Sequence, residues 1–367
     1  MKKPASIRRA SPPYPASWVD RLTEWVRRLP IPAWLFYALL WMFLTLVQVA
    51  SEWADGTQPV GRVERWQLSF AAWAPLSLAL IHYLDDASSA ALDSARPALR
   101  LAPAAFAEVR YRLTTLPGGP VRIWTLVMVA AFTLGVSGFV SVAGLPTSAL
   151  FFSYTSLSLV TDVLILGITN SVLTGLFVYH TLHQLAGVSE VYSHHAAVEF
   201  FHMRPLYALS RVTVRTAVGL LAVGYIFLLG VVPAYVDLAV AGPTRALAFP
   251  VLGQTVLISA LAVACFALPV TGIHRLMVDE KARLQAGLDR RMNTVLDEVH
   301  RRIDRGKWKE AESFQRIMNG LVLERDVLGK IPTWPWSPGA LRALLSALLL
   351  PVAIWSIQQI LERAFPR

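Results

Sequence analysis

The chain is poor in charge and in cysteine. Only 16% of its 367 residues are Asp, Glu, Lys or Arg, against about a quarter in a typical soluble protein. Its single cysteine, Cys265, excludes an intramolecular disulfide and leaves no cysteine cluster for a metal. The shortage of charge argues against a soluble globular protein, and the shortage of cysteine argues against a disulfide framework.

The sequence also lacks the short motifs that mark common enzyme chemistry. No P-loop, HExxH, GxSxG or GxGxxG motif occurs in a usable context. The multiple His boxes of membrane desaturases are missing, because HTLH at His180 to His183 is a lone HxxH pair. We also find no internal repeat of the kind that secondary transporters carry. The motifs therefore point to no family, and we predict no cofactor.

What the chain does contain is apolar sequence, arranged in long runs. Hydrophobic residues make up 55% of the total, and a run of about 20 residues is enough to cross the hydrocarbon core of a bilayer. We therefore predict an all-α, polytopic membrane protein with seven transmembrane helices. The predicted spans are 31–49, 66–84, 121–144, 157–179, 216–236, 251–273 and 339–361.

The basic residues predict the orientation of these spans. Of the 34 Lys and Arg residues, 27 lie in the N-terminal segment and in 85–120, 180–215 and 274–330, all on one side of the predicted membrane. By the positive-inside rule, that side is the cytoplasm. The N-terminus is then cytoplasmic and the C-terminus lies outside. Arg outnumbers Lys 28 to 6, which is typical of a GC-rich bacterial genome, so we predict a bacterial inner-membrane protein.

Four regions follow from this threading. Residues 1–30 form a basic cytoplasmic segment, 31–273 a six-helix membrane domain, 274–330 a cytoplasmic helical hairpin, and 331–367 an interfacial anchor with the seventh span. In the first region, Ser17 and Asp20 fit a capping box at the start of an amphipathic helix. We expect that helix to lie on the inner leaflet.

The 274–330 region carries two apolar stripes at helical spacing. The first is a near-heptad series of the type found in coiled coils, and its members are Leu284, Leu288, Met292, Val295, Val299 and Ile303. The second lies in the following helix, where Phe314, Ile317 and Met318 are more apolar than pairing with one helix requires. We predict an antiparallel coiled-coil hairpin that binds a second copy or a cytoplasmic protein through these three residues.

The segment IPTWPWSPG joins this hairpin to the last span. Pro332 and Pro335 stop the preceding helix, since proline has no N–H and disfavours helix in the residue before it. Trp334 and Trp336 suit the headgroup layer, where an indole ring is buried and its N–H stays wet. We predict that both tryptophans anchor the chain at the membrane interface.

Polar residues are scarce inside the predicted spans. Asp162 is the only acid well inside an apolar run, and Asn170 lies two turns further along the same span. Gly167, Ser171 and Gly175 form a small-residue row that favours close helix packing. Two interpretations follow: the fourth span sits at the bundle centre with hydrogen bonds as glue, or a polar pathway runs past Asp162 and Asn170.

Histidines cluster at the cytoplasmic ends of the predicted spans. His180 and His183 lie one turn apart, His82 ends the second span beside two aspartates, and His274 ends the sixth. A metal site built from these four residues is one hypothesis. The alternative is that they are amphipathic anchors at the interface.

Three functions are compatible with these features. The first is a non-catalytic scaffold or signalling protein that acts through the 274–330 hairpin. The second is a channel or transporter for an ion or small solute, with the fourth span lining the path. The third is a membrane enzyme that uses interfacial His and Asp residues on a lipid-like substrate. The lipid bilayer is a predicted partner and nucleic acid is not, because the basic residues lie where the positive-inside rule places them.

Overall fold

The computed structural model describes residues 12–142, 157–196, 204–240, 245–305, 311–336 and 339–350. This part of the chain is helical and contains no β-strand. The prediction of an all-α protein is therefore confirmed. The first five helices are α1 (Trp18–Arg27), α2 (Ala33–Ala54), α3 (Arg65–Ala95), α4 (Pro103–Thr114) and α5 (Gly118–Val142).

The second half of the chain contributes longer helices. Helix α6 runs without a break over Leu157–His194 and includes a π-helical segment at Val160–Gly167. The remaining helices are α7 (Arg204–Val240), α8 (Arg245–Ala267), α9 (Thr271–Asp304), α10 (Ala311–Lys330) and the short apolar α11 (Gly339–Leu350).

Five of the described helices are long and apolar enough to cross a membrane. They coincide with the predicted first, third, fourth, fifth and sixth spans, which confirms a helical protein with several membrane-capable helices. The predicted second span lies in α3, which is not one of the five. The predicted seventh span begins in α11, and its second half lies outside the described residues.

Helix α3 occupies the centre of the bundle, with α2, α6 and α7 packed against it. About half of its residues are buried, among them Leu78, Ile81 and Leu84. A helix surrounded by protein need not be apolar on every face. This explains why α3 carries Gln67, His82 and several serines, and why its hydropathy is below that of its neighbours.

The small-residue row predicted in the fourth span does bring two helices close together. A side chain added at Gly167 would collide with Phe132 of α5, and one added at Gly175 would collide with Met128. The Trp124 indole N–H of α5 donates to the carbonyl oxygen of Gly175 at 2.8 Å. Glycine at both positions therefore leaves room for side chains of α5 to pack directly against the backbone of α6.

The structure confirms the capping box that the sequence predicts at the start of α1. The Asp20 carboxylate accepts from the Ser17 backbone N–H at 2.9 Å, and the Ser17 hydroxyl accepts in turn from the Asp20 N–H at 3.3 Å. Val19 and Val26 are buried against the bundle, whereas Trp25 is half-exposed. One side of this amphipathic helix thus packs on protein.

Four aromatic rings connect the end of α8 to the segment after α10. Trp336 stacks on Phe266 with 4.4 Å between ring centroids, Trp334 stacks on Trp336 at 4.4 Å, and His274 stacks on Trp334 at 3.8 Å. The predicted anchor tryptophans therefore make protein contacts through their faces. Trp334 remains 37% exposed, and its anchoring role stays a prediction.

Helices α9 and α10 contact each other near both of their ends. Lys281, early in α9, donates to the carbonyl oxygens of Gly329 and Ile331 at 2.8 Å each. Arg302, at the end of α9, lies over the ring of Phe314 at 5.1 Å. The start of one helix is therefore beside the end of the other.

Candidate functional site

Helix α3 carries a polar cluster near each end, and α6 contributes to both. Gln67 and Asp85 are 18 residues apart on α3, which is about 27 Å at 1.5 Å per residue. We call the group around Asp85 the histidine cluster, defined by His82, Asp85, His180 and Gln184. We call the group around Gln67 the carboxyl cluster, defined by Gln48, Glu52, Gln67 and Asp162.

The centre of the histidine cluster is a buried His–Asp pair. His180 Nε2 lies 2.8 Å from Asp85 Oδ1, and the two side chains are 2% and 3% exposed. The opposite ring nitrogen of His180, Nδ1, is buried and has no hydrogen-bond partner. Gln184, one turn after His180, donates to the backbone carbonyls of Leu84 and Leu113. The His180–Asp85 pair and the Gln184 hydrogen bond to Leu84 therefore connect α6 to the second half of α3.

His82 lies in the same region but has different partners. Its Nδ1 is 3.1 Å from the hydroxyl of Tyr37, and its Nε2 is 3.7 Å from Asp86. Asp86 also pairs with Arg27 of α1 at 2.6 Å. These contacts connect α1, α2 and α3 at one end of the bundle.

The other two histidines of the predicted metal site are engaged elsewhere. His183 Nε2 lies 3.1 Å from the carbonyl oxygen of Arg112, and His274 Nδ1 lies 2.8 Å from that of Thr333. In the described ranges, no group of three or more His, Cys, Asp or Glu residues is arranged to hold a metal ion. The structure therefore does not bring His82, His180, His183 and His274 together.

A cavity of about 390 Å³ opens beside the histidine cluster, between α1 and the end of α4. Asp85 and Asp20 line it together with Arg21, Arg27 and Arg28. Burial raises the pKa of Asp20, and the hydrogen bonds from Ser17 and from the Leu116 backbone N–H act in the opposite direction. Because both signs of charge line the cavity, its electrostatics select neither an anionic nor a cationic ligand.

Asn170 lies between the two clusters and binds two backbone groups of α3 beside Pro75. Its Oδ1 accepts from the Ala74 backbone N–H at 3.1 Å, and its Nδ2 donates to the Phe70 carbonyl at 2.8 Å. These two backbone groups would pair with each other in a regular helix. Pro75 follows directly inside α3, where its ring disturbs that turn. The first interpretation of this span, in which hydrogen bonds hold the helix at the bundle centre, accounts for both of these hydrogen bonds of Asn170.

The carboxyl cluster joins Asp162 to residues that the sequence analysis did not select. Glu52 Oε2 accepts from Gln67 Nε2 at 2.6 Å, and the Asp162 carboxyl group is a neighbour of Glu52 on the π-helical segment that packs on α2. Gln48 is fully buried and faces Asp162 from α2. Gln48 and Glu52 are spaced i and i+4 on one helix face, a signal that the sequence did contain.

The predicted interaction surface on α10 is partly covered. Phe314 and Met318 are half-buried, whereas Ile317 is 48% exposed. Further exposed apolar side chains of the same two helices are Leu296, Ile303, Val322, Leu323 and Val327. In the near-heptad stripe of α9, only Leu288 is buried. The apolar seam between α9 and α10 is therefore half open.

Comparison with known proteins gives no family. No protein-family model matches the chain, and no curated protein and no solved structure is significantly similar to it. The function must accordingly be argued from the described residues themselves.

Proposed function

We propose that this protein is a non-catalytic membrane scaffold whose α9–α10 hairpin binds the hairpin of a second copy. One observation carries the proposal: the hairpin leaves large apolar side chains exposed, with Ile317 48% and Leu323 65% exposed. Burying each such side chain contributes about 1.5–3 kcal/mol. An isolated pair of helices buries too little apolar surface to be stable, so a further contact stabilises it.

A second copy fits this surface better than a strongly charged partner does. Residues 274–330 contain 13 basic and 10 acidic residues, and some of them pair within α9, as in Arg283 with Glu280 and Glu298 with both Arg301 and Arg302. Each hairpin therefore carries both signs with only a small positive excess, which does not favour a strongly charged partner. Their near-heptad seams can close on each other as a four-helix bundle, and a symmetric pair leaves no open end.

The proposal predicts that two glutamates on α10 dissociate the assembly. Ile317→Glu with Met318→Glu puts two charges into the apolar seam, so the mass of the detergent-solubilised protein should fall from that of a dimer to that of a monomer. Light scattering coupled to size exclusion measures this mass. The matched control is Gln315→Glu, which adds a charge at an exposed polar position of the same helix and should leave the dimer intact.

Two results would count against the second copy. A wild-type protein that is monomeric at every concentration tested overturns self-association. A mass that does not respond to the double substitution, in a dimeric protein, places the contact elsewhere on the chain. Protease resistance of the hairpin, compared between the variant and wild type, establishes whether α9 and α10 still pack on each other.

The scaffold requires the hairpin to lie in the cytoplasm, which the proposed threading provides. We propose seven spans with the N-terminus inside, supported by the distribution of Lys and Arg and by the five membrane-capable helices. A reporter that fluoresces only in the cytoplasm should be bright when fused after Lys330 and dark after Arg367. A bright signal at Arg367 would remove the last span from the topology.

A further inference from the structure

The carboxyl cluster contains two acids in contact and has no basic partner. Glu52 is 4% exposed; its Oε2 accepts from Gln67, and its Oε1 is buried without a hydrogen-bond partner beside the Asp162 carboxyl group, whose Oδ1 is also unpartnered. The side chains that act on the two carboxyl groups are Gln48, Gln67 and Glu64, and none of these is basic. Of the two cations at the start of α3, Arg62 pairs with Glu64 at 2.6 Å, and Arg65 is exposed.

The segment that precedes α6 adds no charge to this site. Residues 143–156 contain no Asp, Glu, Lys, Arg or His. On α2 the next acid, Asp55, accepts from the backbone N–H of Ser158 at 2.5 Å, so its carboxylate is occupied by the first turn of α6. The other charged residues around the pair are therefore the acids Asp55 and Glu64 and the exposed bases Arg62 and Arg65.

Two neighbouring carboxylates, one buried and one partly buried, cannot both be ionised at low cost, because like charges repel strongly where water is largely excluded. We propose that Glu52 and Asp162 form a proton-binding site in which the two carboxyl groups share one proton. The bound proton forms a hydrogen bond between α2 and the π-helical segment of α6. Such π-segments occur frequently at functional sites, where they aim a side chain that a regular helix would direct elsewhere.

The surrounding amides favour a proton over a metal cation. Gln67 Oε1 accepts from the Glu64 backbone N–H at 2.6 Å, so its NH₂ group is directed at Glu52. An N–H donor at this position stabilises one negative charge and repels a cation. Gln48 is fully buried, and neither of its amide atoms makes a hydrogen bond of normal geometry. Its unpartnered amide lies beside Asp162, where it can follow the carboxyl group between its protonated and ionised forms.

Infrared difference spectroscopy of the purified protein tests the site. A protonated carboxyl group has a C=O stretch that an ionised carboxylate lacks. We expect one such band at neutral pH, lost on raising the pH, and lost at neutral pH in both Glu52→Gln and Asp162→Asn. In each variant the remaining carboxyl group no longer faces a second acid. The control Glu108→Gln removes an exposed acid on α4, outside the carboxyl cluster, and should retain the band.

Isotope labelling of the glutamate and aspartate carboxyl carbons in the wild-type protein assigns the band even where a variant fails to fold. A band that shifts with both labels supports a shared proton. Absence of the band at neutral pH, or its survival in both single variants, overturns the proposal. Release of the proton by added sodium or calcium also overturns it, in favour of a cation site.

Discussion

Replacing His180 with leucine is expected to destabilise the protein by about 3–5 kcal/mol, because it leaves the buried Asp85 carboxyl group without its partner. The contact is 2.8 Å long and both side chains are almost fully buried. Leucine approximates the volume of histidine, so the loss reports mainly on the uncompensated carboxyl group rather than on a cavity. Denaturant unfolding in detergent micelles, followed by tryptophan fluorescence, measures the change.

A double-mutant cycle isolates the interaction energy of the His180–Asp85 pair from the contributions of neighbouring contacts. Asp85→Ala alone should also destabilise, whereas His180→Leu combined with Asp85→Ala should cost clearly less than the sum of the two single changes. His183→Leu is the matched control on the same helix, since that ring stacks on Tyr179 and has a backbone carbonyl, not a carboxylate, as its hydrogen-bond neighbour, and about 1 kcal/mol is expected. Additive single changes would show that His180 and Asp85 do not act as a unit.

Local signals along the chain predicted several details of the fold correctly. The Ser17–Asp20 capping box, the close packing of the Gly167 and Gly175 row, and five helices of membrane-spanning length all depend on neighbouring residues in sequence. Such features are readable because a helix fixes the relative positions of residues three, four and seven apart. The packing partners of these helices are not fixed in that way.

Contacts between distant segments were harder to predict. Glu52 falls just beyond the predicted end of the first span, but α2 continues to Ala54 and the start of α6 covers its last turn. The partner of Glu52, Asp162, is 110 positions away in sequence. Likewise, the sequence analysis grouped His180 with His82 at the cytoplasmic ends of the spans. It did not predict that His180 contacts Asp85. These pairings depend on which helices pack together, and the periodicity of apolar residues in the sequence does not identify the packing partners.

The largest effect expected at the centre of the bundle concerns Asn170. Asn170→Leu keeps the branched shape of the side chain, with two larger methyl groups, but removes its hydrogen bonds to the Ala74 N–H and the Phe70 carbonyl. Two backbone groups in the bundle interior lose this partner, and a loss that leaves a buried group unsatisfied costs about 1–3 kcal/mol. The free energy of unfolding should therefore fall by several times the change caused by Thr174→Val, which removes only a 3.3 Å hydroxyl contact with Ser77 on the same seam.

This role of Asn170 depends on Pro75, and that dependence is the sharper test. With Pro75→Ala, residue 75 gains an N–H that can pair with the Ala71 carbonyl, the ring no longer crowds that carbonyl, and the turn from Phe70 to Ala74 can close as in a regular helix. Asn170→Leu should then cost much less in the Pro75→Ala background than in the wild type. An equal cost in both backgrounds would mean that Asn170 stabilises the bundle independently of Pro75. The amide would then have to be treated as part of a polar path between the carboxyl cluster and the histidine cluster.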